Sequence, residues 1–204
     1  MFTKAILEKI ESLPEGEPFK STMFFEISTN TAIRQALSRL VKSGQLMRVA
    51  RGVYVKPEMS RYVGPVPPSS RKIIKLMAEG EKITITGAEA AQRLGLSTQM
   101  VLKEVYLTSG CTRIIRLKNG GIISLRHASP RKLALAGSLA GIALSALWWM
   151  GKEEVTSEVI HLIRQKLSPE EFRVLKEASP LMPAWMSEKI LNERKESIVG
   201  RTIS

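Results

Sequence analysis

The chain has 204 residues, 44% of them hydrophobic and 25% charged, which is typical of a folded protein with one large domain or two small ones. A single cysteine excludes an internal disulfide bond and a multi-cysteine zinc site. All 19 acidic residues are glutamates, and the lack of aspartate argues against magnesium-dependent phosphoryl transfer.

The net charge of +12 is distributed unevenly along the chain. Residues 1–75 hold 13 basic and 6 acidic side chains, residues 76–132 hold 9 and 4, and residues 133–204 hold 9 of each. Because counterion release favours binding of a basic surface to a polyanion, we expect a polyanionic partner for the first two thirds of the chain. DNA, RNA and an anionic membrane surface all meet this charge requirement.

The first 27 residues predict two short helices. Residues 3–13 have apolar side chains at a helical period, and a Pro-Glu-Gly breaker follows them. Residues 22–27 follow Ser21, which is a residue type that commonly caps a helix. Four of the five phenylalanines lie in this region and are expected to build a small core: Phe2, Phe19, Phe24 and Phe25.

Residues 27–57 carry six basic side chains and no acid. An apolar stripe from Ile33 to Val41 predicts a helix that ends at Lys42-Ser43-Gly44. Two short alternating runs joined by Ala50-Arg51 then predict a hairpin over 45–55. The helix face opposite the stripe is polar and basic: Thr31, Arg34, Gln35, Ser38, Arg39 and Lys42.

A helix with a basic face followed by a basic hairpin is typical of a winged helix-turn-helix, which binds DNA with the helix in the major groove. Gln suits adenine and Arg suits guanine, so Gln35, Ser38 and Arg39 are expected to contact base edges. Phosphate contacts are expected from four of the other basic side chains: Arg34, Lys42, Arg48 and Arg51. A basic face that is merely solvated is the alternative interpretation.

Residues 57–70 contain four prolines and a glycine, which favours an extended linker. Beyond it, short helices and strands alternate, and Lys118-Asn119-Gly120-Gly121 is the strongest hairpin signal in the chain. A second basic cluster in this strand region comprises Arg113, Arg116, Lys118, Arg126, Arg131 and Lys132. It is expected to be a second DNA contact, a surface for an acidic partner or simply a solvated surface.

Residues 133–151 contain no charged side chain. Because the run is rich in Ala, Gly and Ser, we predict a buried helix, or two with a break near Gly141, rather than a membrane span. Further helices are expected over 154–167, 169–178 and 184–193. Three tryptophans are expected in the core: Trp148, Trp149 and Trp185.

The chain is therefore predicted to be α+β, with an N-terminal winged helix-turn-helix and a mixed α/β C-terminal domain ending in helices. The predicted boundaries are 1–57 for the DNA-binding domain, 58–70 for the linker, 71–195 for the C-terminal domain and 196–204 for a tail.

No combination of side chains predicts an enzyme. Cys111 has no histidine in a plausible motif, and His127 and His161 lack the spacing of metal ligands. We therefore expect no catalytic residues, no metal and no cofactor. The N-terminal segment contains acids and differs from a signal peptide, so a cytoplasmic location is expected.

Several segments resemble AbiEi-type antitoxins, which belong to bacterial abortive-infection toxin–antitoxin pairs. AIRQALSRLVKSGQLMRVARGVY resembles their N-terminal winged helix, and TGAEAAQRLGLSTQ, YLTSGCTRIIRL and LMPAWM are similar to their C-terminal part. The resemblance covers most of residues 3–192, with a C-terminal part shorter than in the larger antitoxins. It implies binding to inverted repeats in the protein's own promoter, repression of the operon and opposition to a nucleotidyltransferase-like toxin.

Two other functions remain open at this point. One is a protein-interaction module that neutralises a toxin directly, and the other is an RNA-binding component. Binding that is insensitive to nucleic-acid competitors would indicate the first, and a preference for structured RNA the second. A monomer or a homodimer is expected, because repressors commonly pair their half-sites by dimerisation.

Overall fold

The computed structural model describes residues 2–99 and 103–199, with the side chains of 4–99 and 103–193. The fold is mixed α+β with several small sheets, which confirms the predicted fold class at this level. The chain divides into two compact units, residues 1–80 with 114–123, and residues 81–113 with 124–204. The division after Gly80 differs from the predicted linker at 58–70.

The first unit begins with an α-helix, a short strand, a 3-10 helix and a second α-helix, in that order. The prediction of an α-helix over 22–27 is wrong. The chain forms a short 3-10 helix there, and no side chain caps its N-terminus. The strand before it was not predicted. The elements are α1 (Phe2–Glu11), β1 (Pro18–Lys20), the 3-10 helix (Ser21–Phe24) and α2 (Asn30–Lys42).

A three-stranded sheet packs with these helices. Strands β2 (Met47–Ala50) and β3 (Val53–Val55) form the predicted hairpin, and β1 pairs antiparallel with β3, giving the order β1-β3-β2. The turn is Arg51-Gly52, one residue later than predicted, because Gly52 adopts the positive φ of +72°. The core holds Ile6, Ile10, Phe19, Phe24, Ile33, Ala36, Leu37, Leu46 and Tyr54. Phe25, expected in that core, is 51% exposed, and the Phe2 side chain lies outside the described ones.

The predicted linker is not extended along its whole length. It contains a two-stranded antiparallel hairpin of β4 (Glu58–Ser60) and β5 (Gly64–Val66), followed by α3 (Ser70–Met77). Pro65 stands opposite Met59 in this hairpin. Proline has no backbone N–H, and it is tolerated here because each strand of a two-stranded sheet has one edge that pairs with no other strand.

The second unit contains a further sheet and a layer of helices. The elements are β6 (Ile83–Ile85), α4 (Gly87–Arg93), β7 (Glu104–Thr108), β8 (Arg113–Arg116) and β9 (Ile122–His127). The four strands form a sheet in the order β6-β7-β9-β8, and the segment 114–123 of this sheet belongs to the first unit. The hairpin predicted at Lys118–Gly121 is confirmed, with Gly120 at φ +88° and the Leu117 N–H donating to the Gly121 carbonyl at 2.9 Å. A strand was predicted over 101–108, and residues 101 and 102 lie outside the described residues.

Four α-helices follow in the described part of the chain. The uncharged run forms one helix preceded by irregular turns, and its break falls at Gly151 (φ +78°) rather than at Gly141. Gly141 lies in the first turn of that helix, where its N–H donates to the capping Ser138 hydroxyl at 3.0 Å. The helices are α5 (Leu139–Glu154), α6 (Ser157–Lys166), α7 (Pro169–Glu177) and α8 (Ala184–Val199). Helix α8 includes 196–199, so the predicted tail is helical there, and 200–204 lie outside the described residues.

Helix α4 packs closely on α5 in the core of the second unit. Trp148 and Trp185 are partly buried against this core, as predicted, whereas Trp149 is 45% exposed and that part of the prediction is wrong. Within residues 2–99 and 103–199, no helix combines the length and the apolar character needed to cross a bilayer.

Candidate nucleic-acid interface

The exposed face of α2 brings six of the predicted site residues together. The helix begins where the Thr29 hydroxyl accepts a hydrogen bond from the Ala32 N–H at 3.5 Å, and it ends before Gly44, whose φ is +76°. Ile33 and Leu37 are completely buried on its inner side. Six exposed side chains line one shallow depression on its outer side: Thr31, Arg34, Gln35, Ser38, Arg39 and Lys42.

The electrostatics of this face favour an anion. Among the described residues, Arg34, Arg39 and Lys42 make no ion pair with a carboxylate. The N-terminal end of α2 carries no acidic side chain in its first turn, so the positive end of the helix dipole is not neutralised by one. Such a face can bind phosphates and also offers polar groups able to read base edges.

The hairpin that follows α2 supplies the other two predicted residues. Arg48 is half-buried on β2, and its Nε donates to the Ala50 carbonyl at 3.4 Å. Arg51 is exposed at the turn, which is fixed by a 2.9 Å hydrogen bond from the Ser21 N–H to the Gly52 carbonyl. The Leu46 N–H donates to the Leu40 carbonyl at 3.1 Å, which joins the hairpin to the end of α2.

The residues of the second basic cluster are divided between the two units. Arg113 is half-buried and engaged by Glu81, with Nη2 and Oε1 2.8 Å apart, and this pair belongs to the second unit. Arg126 is an exposed residue of the same unit, whereas Arg116 and Lys118 belong to the first unit and are exposed there. The second basic patch proposed for these four side chains stays a prediction, and Arg113 is engaged by Glu81 within its own unit.

The two remaining members of the cluster lie before α5. Arg131 and Lys132 are both exposed, and the Lys132 ammonium lies 5.5 Å from the centre of the Trp148 ring, a cation–π arrangement. Lys132 therefore has a contact within its own unit.

Sequence patterns did not reveal where Lys118 lies. Its backbone N–H donates to the Val49 carbonyl of β2 at 2.9 Å, and its side chain lines the same depressions as Arg48. The Asn-Gly-Gly turn predicted the hairpin itself, but no local signal indicates which distant strand the turn will contact. Sequence analysis also missed the β4–β5 hairpin, whose tip exposes Arg61 and Tyr62, the latter by 96%.

Groups that could support other chemistry are sparse in the described part of the chain. Cys111 is an exposed thiol. A depression between α6 and α8 contains His161 and the buried Glu193, whose carboxylate lies 3.2 Å from Arg164. Within the described ranges, no three His, Cys or Glu side chains are grouped as metal ligands.

The fold and this surface define a two-unit α+β protein with a basic, polar helix face. Residues 5–175 match the model of DUF6088, a family of unknown function, and the chain belongs to this family. No curated protein matches the chain.

Proposed function

We propose that this protein binds double-stranded DNA sequence-specifically through the outer face of α2. The observation that carries the proposal is the division of α2 into two faces, one completely buried at Ile33 and Leu37, the other exposed, basic and free of carboxylates. A solvated helix needs no such concentration of cations on one face, and carboxylates commonly accompany lysine and arginine on solvated surfaces.

The first unit supports a winged-helix interpretation. Its element order is α1, β1, a 3-10 helix, α2, β2 and β3, with β1 joined to the hairpin in a small sheet. In this interpretation the 3-10 helix and α2 form the helix-turn-helix, and β2–β3 forms the wing. Arg51 at the turn and Arg48 on β2 then contribute the phosphate contacts of the wing.

The dimensions and chemistry of α2 suit the major groove of B-form DNA. A helix of 13 residues is about 20 Å long, and a groove about 12 Å wide admits a helix. Gln35 and Arg39 can form bidentate contacts with adenine and guanine, and Ser38 lies between them in sequence on the same exposed face. Arg34 and Lys42 flank this central group and hold phosphates.

Duplex RNA fits this surface less well than DNA. The major groove of A-form RNA is deep and narrow, so side chains on a helix cannot read its base edges. A protein partner would need an acidic surface, and an apolar anchor at its centre is the usual feature of a stable protein interface. The depression on α2 is lined by polar and charged side chains only.

The biological role that we propose is autoregulation, and this part rests on the resemblance to AbiEi-type antitoxins. The protein would bind inverted repeats in its own promoter, repress its operon in the cytoplasm and oppose a co-encoded nucleotidyltransferase-like toxin. Binding to inverted repeats requires two copies related by a two-fold axis, either as a homodimer or as monomers that pair on the DNA.

The proposal is tested by selecting duplexes from a random pool with the full chain. We expect one enriched motif, with half-sites separated by about one helical turn of roughly 10 base pairs or a multiple of it. Gln35→Ala and Arg39→Ala should each change the enriched bases. Selection of no motif, together with tighter binding of a structured RNA than of any duplex, would contradict the proposal.

A further inference from the structure

We propose that the tip of the β8–β9 hairpin, residues 117–120, is a third DNA-contacting element and that Lys118 binds a backbone phosphate beside the wing. This inference rests on the proposed function and extends it, because it predicts a binding site longer than α2 and the β2–β3 hairpin cover alone. The hairpin tip, the β2–β3 hairpin and α2 belong to the compact unit formed by residues 1–80 and 114–123.

The hairpin tip is attached to the wing through the edge of a sheet. In the order β1-β3-β2, strand β2 is an outer strand, so its outward-facing carbonyls are not paired within that sheet. The Val49 carbonyl accepts a hydrogen bond from the Lys118 N–H at 2.9 Å. An open sheet edge is commonly covered in native proteins, and here the tip of the second hairpin does so.

The turn itself is held by three further hydrogen bonds. The Leu117 N–H donates to the Gly121 carbonyl at 2.9 Å, and the Gly120 N–H donates to the Leu117 carbonyl at 3.2 Å. The Asn119 side-chain oxygen accepts from the Gly121 N–H at 3.0 Å. A fixed backbone limits the conformational entropy lost when the lysine side chain engages an anion.

Lys118 continues the basic surface of the wing. It lines two adjoining depressions together with Arg48, and no acidic side chain lines either of them. One depression is also bordered by Val41 and Gly44, which places Lys118 near the C-terminal end of α2 as well as beside the wing. Arg116, two residues earlier at the end of β8, is also exposed.

Charge and continuity identify the partner as the same polyanion that α2 binds. A duplex carries a phosphate charge about every 1.7 Å along its axis, so a cation beside the wing has a phosphate within reach when the wing holds the backbone. An acidic protein segment is the competing occupant, and it predicts that Lys118 contributes nothing to DNA affinity.

The experiment compares the salt dependence of DNA affinity for the full chain and three variants. The probe is the duplex selected by the wild type, and the variants are Lys118→Ala, Lys118→Glu and the control Lys4→Ala. Lys4 is an exposed lysine of the same unit, but its ammonium lies 3.9 Å from the Glu8 carboxylate, which makes a phosphate contact unfavourable.

The logarithm of the affinity falls linearly with the logarithm of the salt concentration. We expect Lys118→Ala to make this fall less steep by about 0.9, which is the change in slope for one lost phosphate contact. Lys118→Glu should lower affinity further, base preference should be unchanged in both, and Lys4→Ala should bind as the wild type. The backbone hydrogen bond to Val49 remains in each Lys118 variant, so an unchanged thermal midpoint will show that the fold is intact.

A wild-type slope and affinity for Lys118→Ala and Lys118→Glu would overturn the hairpin contact while leaving the proposed function standing. The inference would also be overturned if Lys4→Ala reduced the salt dependence of DNA affinity as much as Lys118→Ala. The effect would then come from the change in net charge and not from a phosphate contact of Lys118. Absence of duplex binding by the wild type would instead overturn the proposed function, and this inference with it.

Discussion

The Arg113 guanidinium and the Glu81 carboxylate form a two-pronged ion pair. Arg113 Nη2 lies 2.8 Å from Glu81 Oε1, and Nη1 donates to Oε2 at 3.1 Å. The Thr108 hydroxyl also donates to Oε2. An arginine held in this way has its charge offset locally, so it contributes less to a polyanion-binding surface than its place in the sequence indicates.

Glu81→Gln is expected to lower the free energy of unfolding at neutral pH. Hydrogen bonds from Arg113, and then from Thr108, lower the pKa of Glu81 below its ordinary value. Because the folded pKa is the lower one, the stabilisation is complete above the unfolded pKa of about 4.3 and is lost as the pH falls through the folded value. Urea denaturation at a series of pH values should show the wild-type advantage shrinking in acid. If the difference in the free energy of unfolding between the wild type and Glu81→Gln stays constant down to the lowest pH measured, the lowered pKa of Glu81 is contradicted.

Gly87→Ala is expected to destabilise the protein even though alanine favours helices. A Cβ at Gly87 would lie 2.5 Å from the Ser145 carbonyl oxygen of α5 and would overlap Trp149. Relieving such a contact requires α4 and α5 to move apart, which costs about 1–3 kcal/mol. Thermal unfolding measures the effect.

The control for this prediction is Gly121→Ala. The atoms nearest to its Cβ are the side-chain atoms Asn119 Oδ1 and Leu117 Cδ1, at 3.1 and 3.2 Å, and these can shift by small rotations. A Gly87→Ala protein as stable as the wild type would show that the helices do not approach as closely as described.

Local periodicity predicted the parts of the fold whose signals lie within one element. The stripe containing Ile33 and Leu37 fixed the buried face of α2, because residues three and four apart share a side of a helix. The turn at Gly120 was predictable because a positive φ favours glycine. The exposed side of α2 follows from the same periodicity, so most of the candidate site could be read from the sequence.

Contacts between distant residues could not be predicted in this way. β1 has only three residues and is stabilised by pairing with β3, so its own sequence carries almost no strand signal. The Pro-rich composition around Pro65 indicated a linker, although pairing with Met59 makes that segment a hairpin. Arg113 was grouped with its basic neighbours because its partner Glu81 lies 32 residues away.

Arg39→Ala is expected to relax base preference at one position of the DNA site. Arg39 is exposed in the last turn of α2, and loss of a bidentate guanine contact costs about 1–3 kcal/mol of discrimination. Alanine preserves the helix, so the fold should be unaffected. Affinities for the selected duplex and for duplexes with single base changes give the result. Unchanged affinity and unchanged preference would mean that α2 does not read the groove.

Lys42→Ala is expected to weaken binding equally for all duplexes. Lys42 is exposed at the end of α2 and is proposed to hold a phosphate, so its loss should reduce the salt slope by about 0.9 without altering base preference. Lys166→Ala is the matched control, since Lys166 is an exposed lysine in the electrically neutral last third of the chain. A sequence-dependent loss in Lys42→Ala would instead assign Lys42 to a base.

The most direct measurement is the affinity of the full chain for its own upstream DNA and for a scrambled duplex of the same length, at two salt concentrations. The proposal predicts a preference of about 10³ or more for the upstream DNA, with both affinities falling steeply as salt rises. Equal affinity for the two duplexes at both salt concentrations would contradict sequence-specific recognition and reduce the α2 face to a general polyanion-binding surface.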